Sequence, residues 1–186
     1  MRVLFRILGL KVEGLENVPQ EGALLVAGNH VSNWDGLVLA AALNRPVYFM
    51  AKAELFRNPL LAKLLYGLYV FPVERGKGDL QAIRTATQYL NEGKALGIFP
   101  EGTRNRSRDL SKVGGGLGFL ACRSEAMILP VAIAGSAHWI PCGWFRPFQV
   151  RIGTPIPFVL EEGQKKNSEN FIHFSQNIMQ KIYSML

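Results

Sequence analysis

The sequence has no apolar run long enough to cross a bilayer. A membrane-spanning helix needs about 20 consecutive apolar residues, whereas the best candidate, residues 55–73, is interrupted by charged residues and by Asn58 and Pro59. The N-terminus, M-R-V-L-F-R-I-L-G-L, has a short apolar run that no small-residue cleavage site follows, so it does not match a cleavable signal. The sequence therefore predicts a cytoplasmic chain without a transmembrane span.

Cysteine and acidic residues are both scarce. The 186 residues include two cysteines, Cys122 and Cys142, and their spacing does not match a metal site, so they are expected to be free thiols of a reducing compartment. Acidic residues number 14 against 21 lysines and arginines, for a net charge of +7. This excess favours anionic partners such as phosphate groups, nucleic acid or an acidic membrane surface. Nucleic acid is the weaker candidate, because no helix-turn-helix, zinc-finger or aromatic and basic RNA-binding pattern is present.

Several well-known catalytic motifs are also missing. No G-x-S-x-G nucleophile elbow occurs, since Ser136 lies in A-G-S-A-H. H-E-x-x-H, a P-loop and G-x-G-x-x-G are absent as well. These absences argue against a serine-nucleophile hydrolase, a zinc protease and a nucleotide-binding fold of these types, and no metal site is predicted.

What is present is an alternation of β-rich runs and helix-period segments. The apolar β-rich runs are 23–27, 46–51, 69–73, 95–99, 128–134 and 148–152. The helix-period segments are 37–43, 53–65, a segment beginning at Asp79, and the tail 168–186. This order predicts a single α/β domain over residues 1–186, with a mainly parallel sheet flanked by helices. Within it we distinguish a short basic and apolar segment (1–20), a motif-bearing core (21–153) and a C-terminal helix (168–186).

The first β-rich run is followed by N-H-V-S-N-W-D, which contains His30 and Asp35. In a helix five residues turn through about 500°, leaving the two side chains about 140° apart, and in a strand they would face opposite sides. A loop that enters a helix, with Asp35 in the first turn, could bring them together. A carboxylate bonded to one ring nitrogen fixes the tautomer and makes the other a better base. The alternative is a pair of exposed loop residues, the usual case for an arbitrary pair at this spacing. If His30 is a base, the missing serine elbow makes a substrate hydroxyl its expected target.

A second polar cluster, F-P-E-G-T-R-N-R-S, follows the fourth run. It contains Glu101, Gly102, Thr103 and Arg104. Glycine lets backbone N–H groups approach an anion, and the planar fork of arginine matches phosphate. Lys52 and Arg75 stand at the ends of two other runs. Each cation alone is more readily explained as a solvated surface charge, but together they favour an anion site at the carboxyl ends of the strands.

Four blocks of the sequence, in order, resemble the glycerolipid acyltransferase family, which is typified by 1-acylglycerol-3-phosphate acyltransferases. N-H-V-S-N-W-D is similar to the N-H-x4-D block of the family, V-F-P-V-E-R to its arginine-bearing block and F-P-E-G-T-R to its E-G-T-R block. I-L-P-V-A-I-A-G is similar to its proline-bearing hydrophobic block. The second block departs from the common F-I-x-R pattern. The resemblance covers residues 21–153.

The resemblance implies transfer of a fatty acyl group from acyl-CoA or acyl-carrier protein to the hydroxyl of a lysophosphatidate-like lipid, giving phosphatidic acid. It implies no other cofactor and no acyl-enzyme. His30 would be the base and Asp35 its orienting partner, with Asn29 and Glu101 supporting the site. The acceptor phosphate would be held by Lys52, Arg75, Gly102, Thr103 and Arg104. Alternatives are another lysophospholipid or glycerol phosphate as acceptor, or a non-enzymatic domain that binds anionic membranes.

A lipid substrate also implies peripheral binding to the cytoplasmic side of a membrane. Three segments combine basic and apolar residues: 2–8, 55–69 and the tryptophan-rich stretch W-I-P-C-G-W-F-R-P-F. For Leu60, Leu61, Leu64 and Leu65, burial in the core and contact with lipid are equally expected. The tryptophan-rich stretch is expected at the interface.

Overall fold

A seven-stranded sheet lies at the centre of the computed structural model, which describes residues 5, 9–73, 80–138, 148–160 and 163–186. The strand order is β1-β7-β6-β2-β5-β3-β4. The strands are β1 (Lys11–Glu13), β2 (Leu24–Gly28), β3 (Val47–Lys52), β4 (Val70–Val73), β5 (Ala95–Ile98), β6 (Met127–Ala134) and β7 (Gln149–Ile152). Strands β6 and β7 pair antiparallel and the other pairs are parallel.

The parallel register places the ends of five strands at one edge. Ala27 of β2 is level with Ile98 of β5 and Pro130 of β6, and Lys52 of β3 is level with Val73 of β4. We call the edge at which β2, β3, β4, β5 and β6 end the carboxyl edge. Ligand sites of open parallel sheets collect at this edge.

Helices cover both faces of the sheet because its central strands are apolar on both sides. The α-helices in the described residues are α1 (Asp35–Ala42), α2 (Pro59–Gly67), α3 (Leu80–Asn91), α4 (Gly116–Ser124) and α5 (Ser168–Ser184). Leu24 and Val26 of β2 pack with α1 in one core cluster. Leu25 and Ala27 pack with α3, α4 and α5 in the other. The predicted single α/β domain with a mainly parallel sheet is confirmed.

The predicted helix at 53–65 divides into two elements. A 3-10 helix spans Ala53–Arg57, and α2 begins at Pro59. Proline disfavours helical backbone at the residue before it, and Asn58 is extended, with φ −83° and ψ 118°. The Asn58 side chain then caps α2 by accepting from the N–H groups of Leu60 and Leu61.

Two of the predicted interface segments contain core residues. Phe5 and Phe148 are buried, and their ring centroids lie 6.2 Å apart. Both side chains fill part of the first core cluster, so Phe148 does not take the interface position expected for the tryptophan-rich stretch. The remaining residues of 2–8 and those of 139–147, with Trp139, Trp144 and Cys142, lie outside the described residues. Among the described helices, none is long and apolar enough to cross a bilayer.

Candidate active site

The turn between β2 and α1 begins at Asn29, which is 1% exposed. Its side-chain amide donates to the carbonyl of Ile133 at 2.9 Å, and its side-chain oxygen accepts from the Ile133 N–H at 2.7 Å. Asn29 thus continues the pairing of β2 with β6 through its side chain after the backbone has left the sheet. The next residue, His30, starts from a fixed position at the carboxyl edge.

Asp35 is the first residue of α1 and is fully buried. One of its oxygens, Oδ2, lies 3.0 Å from His30 Nδ1 and also accepts from the N–H groups of Val31 and Ser32, each at 2.7 Å. An ionised carboxylate only accepts hydrogen bonds, so the pattern assigns the ring proton to Nδ1. Nε2 is then free to accept a proton. The predicted contact between His30 and Asp35 is present because residues 31–34 curve the chain back.

The negative charge of Asp35 is stabilised mainly by backbone N–H groups and by the dipole of α1. The two N–H groups on Oδ2 belong to the turn, and the carboxylate stands in the first turn of α1, where the helix dipole favours negative charge. The second oxygen, Oδ1, is buried and has no hydrogen-bond partner among the described residues. The carboxylate is therefore fixed through one oxygen, the same one that orients His30.

The ring of His30 is held by stacking. It lies 4.5 Å from the ring of Phe99, at an interplanar angle of 20°, and Phe99 stacks in turn on Phe49 at 6.4 Å. The His30 side chain retains 21% of its exposure. The imidazole therefore has one face against the core, while part of it remains open to solvent and to a substrate.

The loop after β5 forms hydrogen bonds with both backbone polar groups of His30. The His30 N–H donates to Glu101 Oε2 at 2.5 Å, and the His30 carbonyl accepts from the Asn105 N–H at 2.7 Å. Glu101 and Asn105 are 4% and 0% exposed. The loop that contains E-G-T-R is thus docked onto the turn that contains His30, at two points on the same residue.

Tyr183 of α5 completes this arrangement. Its hydroxyl donates to Glu101 Oε1 at 2.6 Å and lies 3.3 Å from the donating side-chain amide of Asn105. Burial, followed by the hydrogen bond to Glu101, raises the pKa of the Tyr183 hydroxyl, which keeps it a donor. Burial also raises the pKa of Glu101, although the bonds from Tyr183 and from the His30 N–H oppose the shift.

Asn105 and Tyr183 are two residues of the site that the sequence patterns do not predict. Asn105 follows Arg104 directly in F-P-E-G-T-R-N-R-S. Only its full burial in the structure distinguishes it from its exposed neighbours. Tyr183 lies 82 positions from Glu101, and its helix shows only an ordinary apolar periodicity. No local pattern in the sequence could have connected the two.

The backbone N–H groups of Gly102 and Thr103, two residues of the predicted anion site, bond within their own turn. The Gly102 N–H donates to the carbonyl of Phe99 at 2.9 Å, and the Thr103 N–H donates to the carbonyl of Glu101 at 2.7 Å. Gly102 has φ 66°, which glycine adopts readily, so these bonds close a tight turn. The exposed side chains of Thr103 and Arg104 are left to contact an anion.

Lys52 ends β3 at the carboxyl edge and is exposed. Two strand spacings of about 4.8 Å separate β3 from β2. Side chains alternate between the two faces of a strand, so Lys52 and Met50 of β3 point to the same face. Met50 packs against the second core cluster. Phe49 points to the other face and belongs to the first cluster, against which Phe99, the ring that stacks on His30, also packs. Strand alternation therefore directs Lys52 away from the side of the sheet that holds His30. Arg75 lies outside the described residues.

A comparison with protein families assigns the chain. The family model described as Acyltransferase matches residues 9–134. The chain belongs to this acyltransferase family. The matched region contains His30, Asp35 and the E-G-T-R loop, and it ends before α5.

Individual relatives of this acyltransferase chain agree with the family. It is 35% identical over 129 residues to a 1-acyl-sn-glycerol-3-phosphate acyltransferase of Bacillus subtilis, covering 68% of this chain and 63% of the relative. It is 35% identical over 124 residues to a lyso-ornithine lipid O-acyltransferase of Pseudomonas aeruginosa, covering 66% of this chain and 47% of the relative. The chain thus spans less than two thirds of the length of these relatives.

A solved structure shares the fold of this acyltransferase chain. The crystal structure of the 1-acyl-sn-glycerophosphate (LPA) acyltransferase PlsC from Thermotoga maritima superposes with a TM-score of 0.69 at 25% identity, over 95% of this chain and 72% of that one. The similarity therefore extends beyond the matched region 9–134 into the part of the chain that includes α5. In the described residues, no three His, Cys, Asp or Glu side chains converge in a way that could hold a metal ion.

Proposed function

We propose that this chain transfers a fatty acyl group from an acyl thioester to the free hydroxyl of 1-acylglycerol-3-phosphate, giving phosphatidic acid. The observation that carries the proposal is the contact of 3.0 Å between His30 Nδ1 and Asp35 Oδ2 at the carboxyl edge. It leaves His30 Nε2 as a proton acceptor. The acyltransferase family and the activities for which the relatives are named support the acyl-transfer chemistry.

In this mechanism His30 Nε2 takes the proton from the acceptor hydroxyl as the hydroxyl oxygen attacks the thioester carbonyl. The tetrahedral intermediate collapses with cleavage of the carbon–sulfur bond, and the departing thiolate receives the proton from the imidazolium. Asp35 stabilises that imidazolium through Nδ1–H. The acyl group passes directly between the two substrates, so the protein supplies no covalent nucleophile.

The acceptor phosphate is assigned to the basic edge beside His30. Arg104 is exposed and immediately precedes Asn105, whose N–H binds the His30 carbonyl, so the Arg104 side chain originates next to the base. Its planar guanidinium can bind two phosphate oxygens at once. The Thr103 hydroxyl is the accompanying donor, and Gly102 gives the turn its shape. Arg75 is the further cation proposed for this phosphate, whereas Lys52 is directed to the other side of the sheet and is not assigned to it.

The proposed role of Glu101 and Asn29 is structural support of the base. Both Glu101 oxygens are engaged, one by the His30 N–H and the other by the Tyr183 hydroxyl. A carboxylate with both oxygens occupied is poorly placed for proton transfer to a substrate. Asn29 acts through the two bonds that fasten the start of the turn to β6.

One observation favours a second acceptor class. The relative from Pseudomonas aeruginosa acts on a lyso-ornithine lipid, which shows that an acyltransferase at this level of similarity can use an acceptor other than 1-acylglycerol-3-phosphate. The basic side chain of Arg104 favours a phosphate-bearing acceptor for this chain.

We place the protein at the cytoplasmic face of a membrane, where such acceptors reside, as a peripheral protein.

A panel of donors and acceptors tests the proposal. The purified protein is mixed with acyl-CoA or acyl-carrier protein and with lysophosphatidate, glycerol 3-phosphate or lyso-ornithine lipid, and thiol release and product mass are recorded. We expect thiol release that depends on lysophosphatidate and a product with the mass of phosphatidic acid. Turnover with lyso-ornithine lipid and with no other acceptor would identify that lipid as the acceptor, in place of lysophosphatidate. Thiol release without any acceptor dependence would contradict acyl transfer.

A further inference from the structure

Helix α2 exposes its leucines to solvent. None of its nine residues is buried. Leu60 retains 81% of its exposure, Leu64 58% and Leu61 37%, and Leu55 in the preceding 3-10 helix retains 45%. We call Leu55, Leu60, Leu61 and Leu64 the leucine ridge. Contiguous exposed apolar side chains of this kind mark an interaction surface, whereas singly scattered ones do not.

Three of the four ridge leucines belong to one helix, α2. Residues three and four apart in a helix lie on one side, so Leu60 and Leu64 stand one above the other, with Leu61 beside them. The Asn58 cap and Pro59 define where the helix starts. Leu65, which points elsewhere around the helix, is half-buried. The helix therefore packs on the protein with one side and presents leucines on the other.

The charges around the ridge are nearly all positive. Lys52, Arg57 and Lys63 are exposed, and the segment 52–69 has a single acidic residue, Glu54. Leucines bordered by cations match the two components of an anionic bilayer, its acyl region and its headgroups. A second copy of the chain would bring the same positive excess against this one, so like charges would oppose that contact.

The position of the ridge suits a lipid substrate. The 3-10 helix Ala53–Arg57 begins where β3 ends, at the carboxyl edge, and α2 follows it. His30 follows β2 at the same edge, about two strand spacings away. A bilayer in contact with the ridge would thus lie beside the edge at which His30 acts.

We propose that the leucine ridge, with Lys52, Arg57 and Lys63, is a docking surface for an anionic lipid bilayer. The inference deepens the proposed function, because it identifies the surface through which the enzyme reaches a membrane-resident acceptor. Leucine side chains enter the headgroup boundary, and the three cations bind lipid phosphates. Binding does not require a transmembrane element in this segment.

Vesicle co-sedimentation of the full chain tests the surface without any substrate. Vesicles of phosphatidylglycerol and phosphatidylcholine contain no lysophosphatidate or acyl donor, so the measurement is independent of catalysis. We expect the double variant Leu60→Gln/Leu64→Gln to bind at least about tenfold more weakly than wild type. We expect Lys63→Gln to bind about fivefold more weakly to these vesicles and to equal wild type on pure phosphatidylcholine.

A matched control lies at the opposite edge of the sheet. Val159 and Met127 are also exposed apolar residues, at 65% and 36%. Met127 begins β6, and the bridge between Ile128 and Ile156 brings the chain before Val159 to the same end. Val159→Gln/Met127→Gln should bind vesicles as wild type does. Equal loss of binding in this control would overturn the assignment to the ridge.

Activity with two forms of acceptor separates this inference from the proposed function. With a short-chain acceptor dissolved as monomers, Leu60→Gln/Leu64→Gln should keep the wild-type rate, whereas with vesicle-embedded lysophosphatidate its rate should fall in parallel with binding. An active wild type whose double variant binds vesicles normally overturns the docking surface alone. A wild type that binds vesicles through the ridge but is inactive with both acceptors overturns the proposed function alone.

Two further outcomes would also overturn the docking surface. If wild type sediments as a dimer without vesicles and the double variant is a monomer, the ridge contacts a second copy. If the double variant is misfolded by circular dichroism, the charge variant Arg57→Gln/Lys63→Gln replaces it. Unchanged binding of that variant to anionic vesicles would then contradict the proposal.

Discussion

In the proposed mechanism the two ring nitrogens of His30 have different roles. Nδ1 is engaged by Asp35, which also holds the N–H groups of Val31 and Ser32. Nε2 is left to exchange a proton. Because the same carboxylate oxygen receives all three bonds, the shape of the turn and the tautomer of the base depend on one atom.

Replacing Asp35 by Asn tests this coupling. An amide oxygen at the place of Oδ2 can still accept from Nδ1–H and from the turn. A neutral amide stabilises the imidazolium less than a carboxylate does, and its NH2 group is left buried without a partner at the place of Oδ1. We expect kcat to fall about a hundredfold or more, with a small change in the KM for the acceptor. Steady-state kinetics on protein shown to be folded by circular dichroism would measure it. A kcat near that of wild type would mean that the negative charge of Asp35 does not assist His30.

Arg104→Ala tests the phosphate contact. Loss of a charge-assisted contact made equally in the ground and transition states should raise the KM for lysophosphatidate about tenfold and leave kcat nearly unchanged. Arg123→Ala is the matched control, because Arg123 is exposed at the end of α4, which precedes the opposite end of β6. If both variants keep the wild-type KM, Arg104 does not bind the acceptor.

At the scale of elements, the site depends on a helix distant in sequence. Helix α5 packs Ile178, Met179 and Ile182 into the second core cluster. This packing brings the Tyr183 hydroxyl within hydrogen-bond distance of Glu101. Glu101 and Asn105 then hold the two backbone groups of His30. Tyr183 is two hydrogen bonds removed from the proposed base, and we expect it to act as a positioning residue.

Tyr183→Phe removes only the hydroxyl of that link. We expect the free energy of unfolding to fall by about 1 kcal/mol and kcat to fall several-fold, with an unchanged KM for both substrates. Chemical denaturation and steady-state kinetics measure the two effects. A variant that loses stability but keeps the full kcat would show that the bond is structural alone.

Gln176→Ala is the control for that experiment. The Gln176 side chain donates to the carbonyl of Leu110 at 3.1 Å, so it also connects α5 to another element, the 3-10 helix Leu110–Lys112, without a bond to Glu101. It should lose stability and keep kcat. The difference between the two variants isolates the effect transmitted through Glu101.

The elements that sequence analysis found are those with strong local signals. Each of its six β-rich runs forms a strand, and no end is shifted by more than one residue. It missed β1, which has only three residues and alternates charged Lys11 and Glu13 around Val12, so its pairing with β7 decides its conformation. It missed α4 because the glycines of K-V-G-G-G-L-G-F-L-A disfavour a helix locally. Gly118 is required there, since a Cβ would lie 2.7 Å from the Phe171 carbonyl oxygen.

At the scale of the whole molecule, a buried acid links the site to stability. Burial raises the pKa of Glu101 above its ordinary value of 4.5. The folded state therefore binds this proton more tightly than the unfolded state does. The contribution of Glu101 is most favourable below pH 4.5 and declines as the pH rises toward the raised value.

A comparison with Glu101→Gln measures that contribution. The difference in free energy of unfolding, wild type minus Glu101→Gln, should decrease as the pH rises from about 4.5 through the raised pKa. Urea denaturation at a series of pH values gives the difference. Glu169→Gln, at an exposed residue, corrects for the loss of one charge. A difference that increases over this interval would contradict the sign of the shift.

The site was predictable where its residues are close in sequence and only partly elsewhere. The contact between His30 and Asp35 follows from a loop that enters a helix, and the sequence contains both parts. The side of the sheet faced by Lys52 depends on strand parity, and the exposure of Leu60 and Leu64 depends on which side of α2 packs on the protein. Those are tertiary facts that local patterns do not determine.

The most direct test of the central claim is thiol release from acyl-CoA, measured with and without lysophosphatidate, for wild type and His30→Ala. Both proteins are first compared by circular dichroism and thermal unfolding. If His30 is the base that acts on the acceptor hydroxyl, wild type should release thiol only with lysophosphatidate, and His30→Ala should be slower by a factor of at least about a thousand. A folded His30→Ala protein that releases thiol at near the wild-type rate would contradict the account.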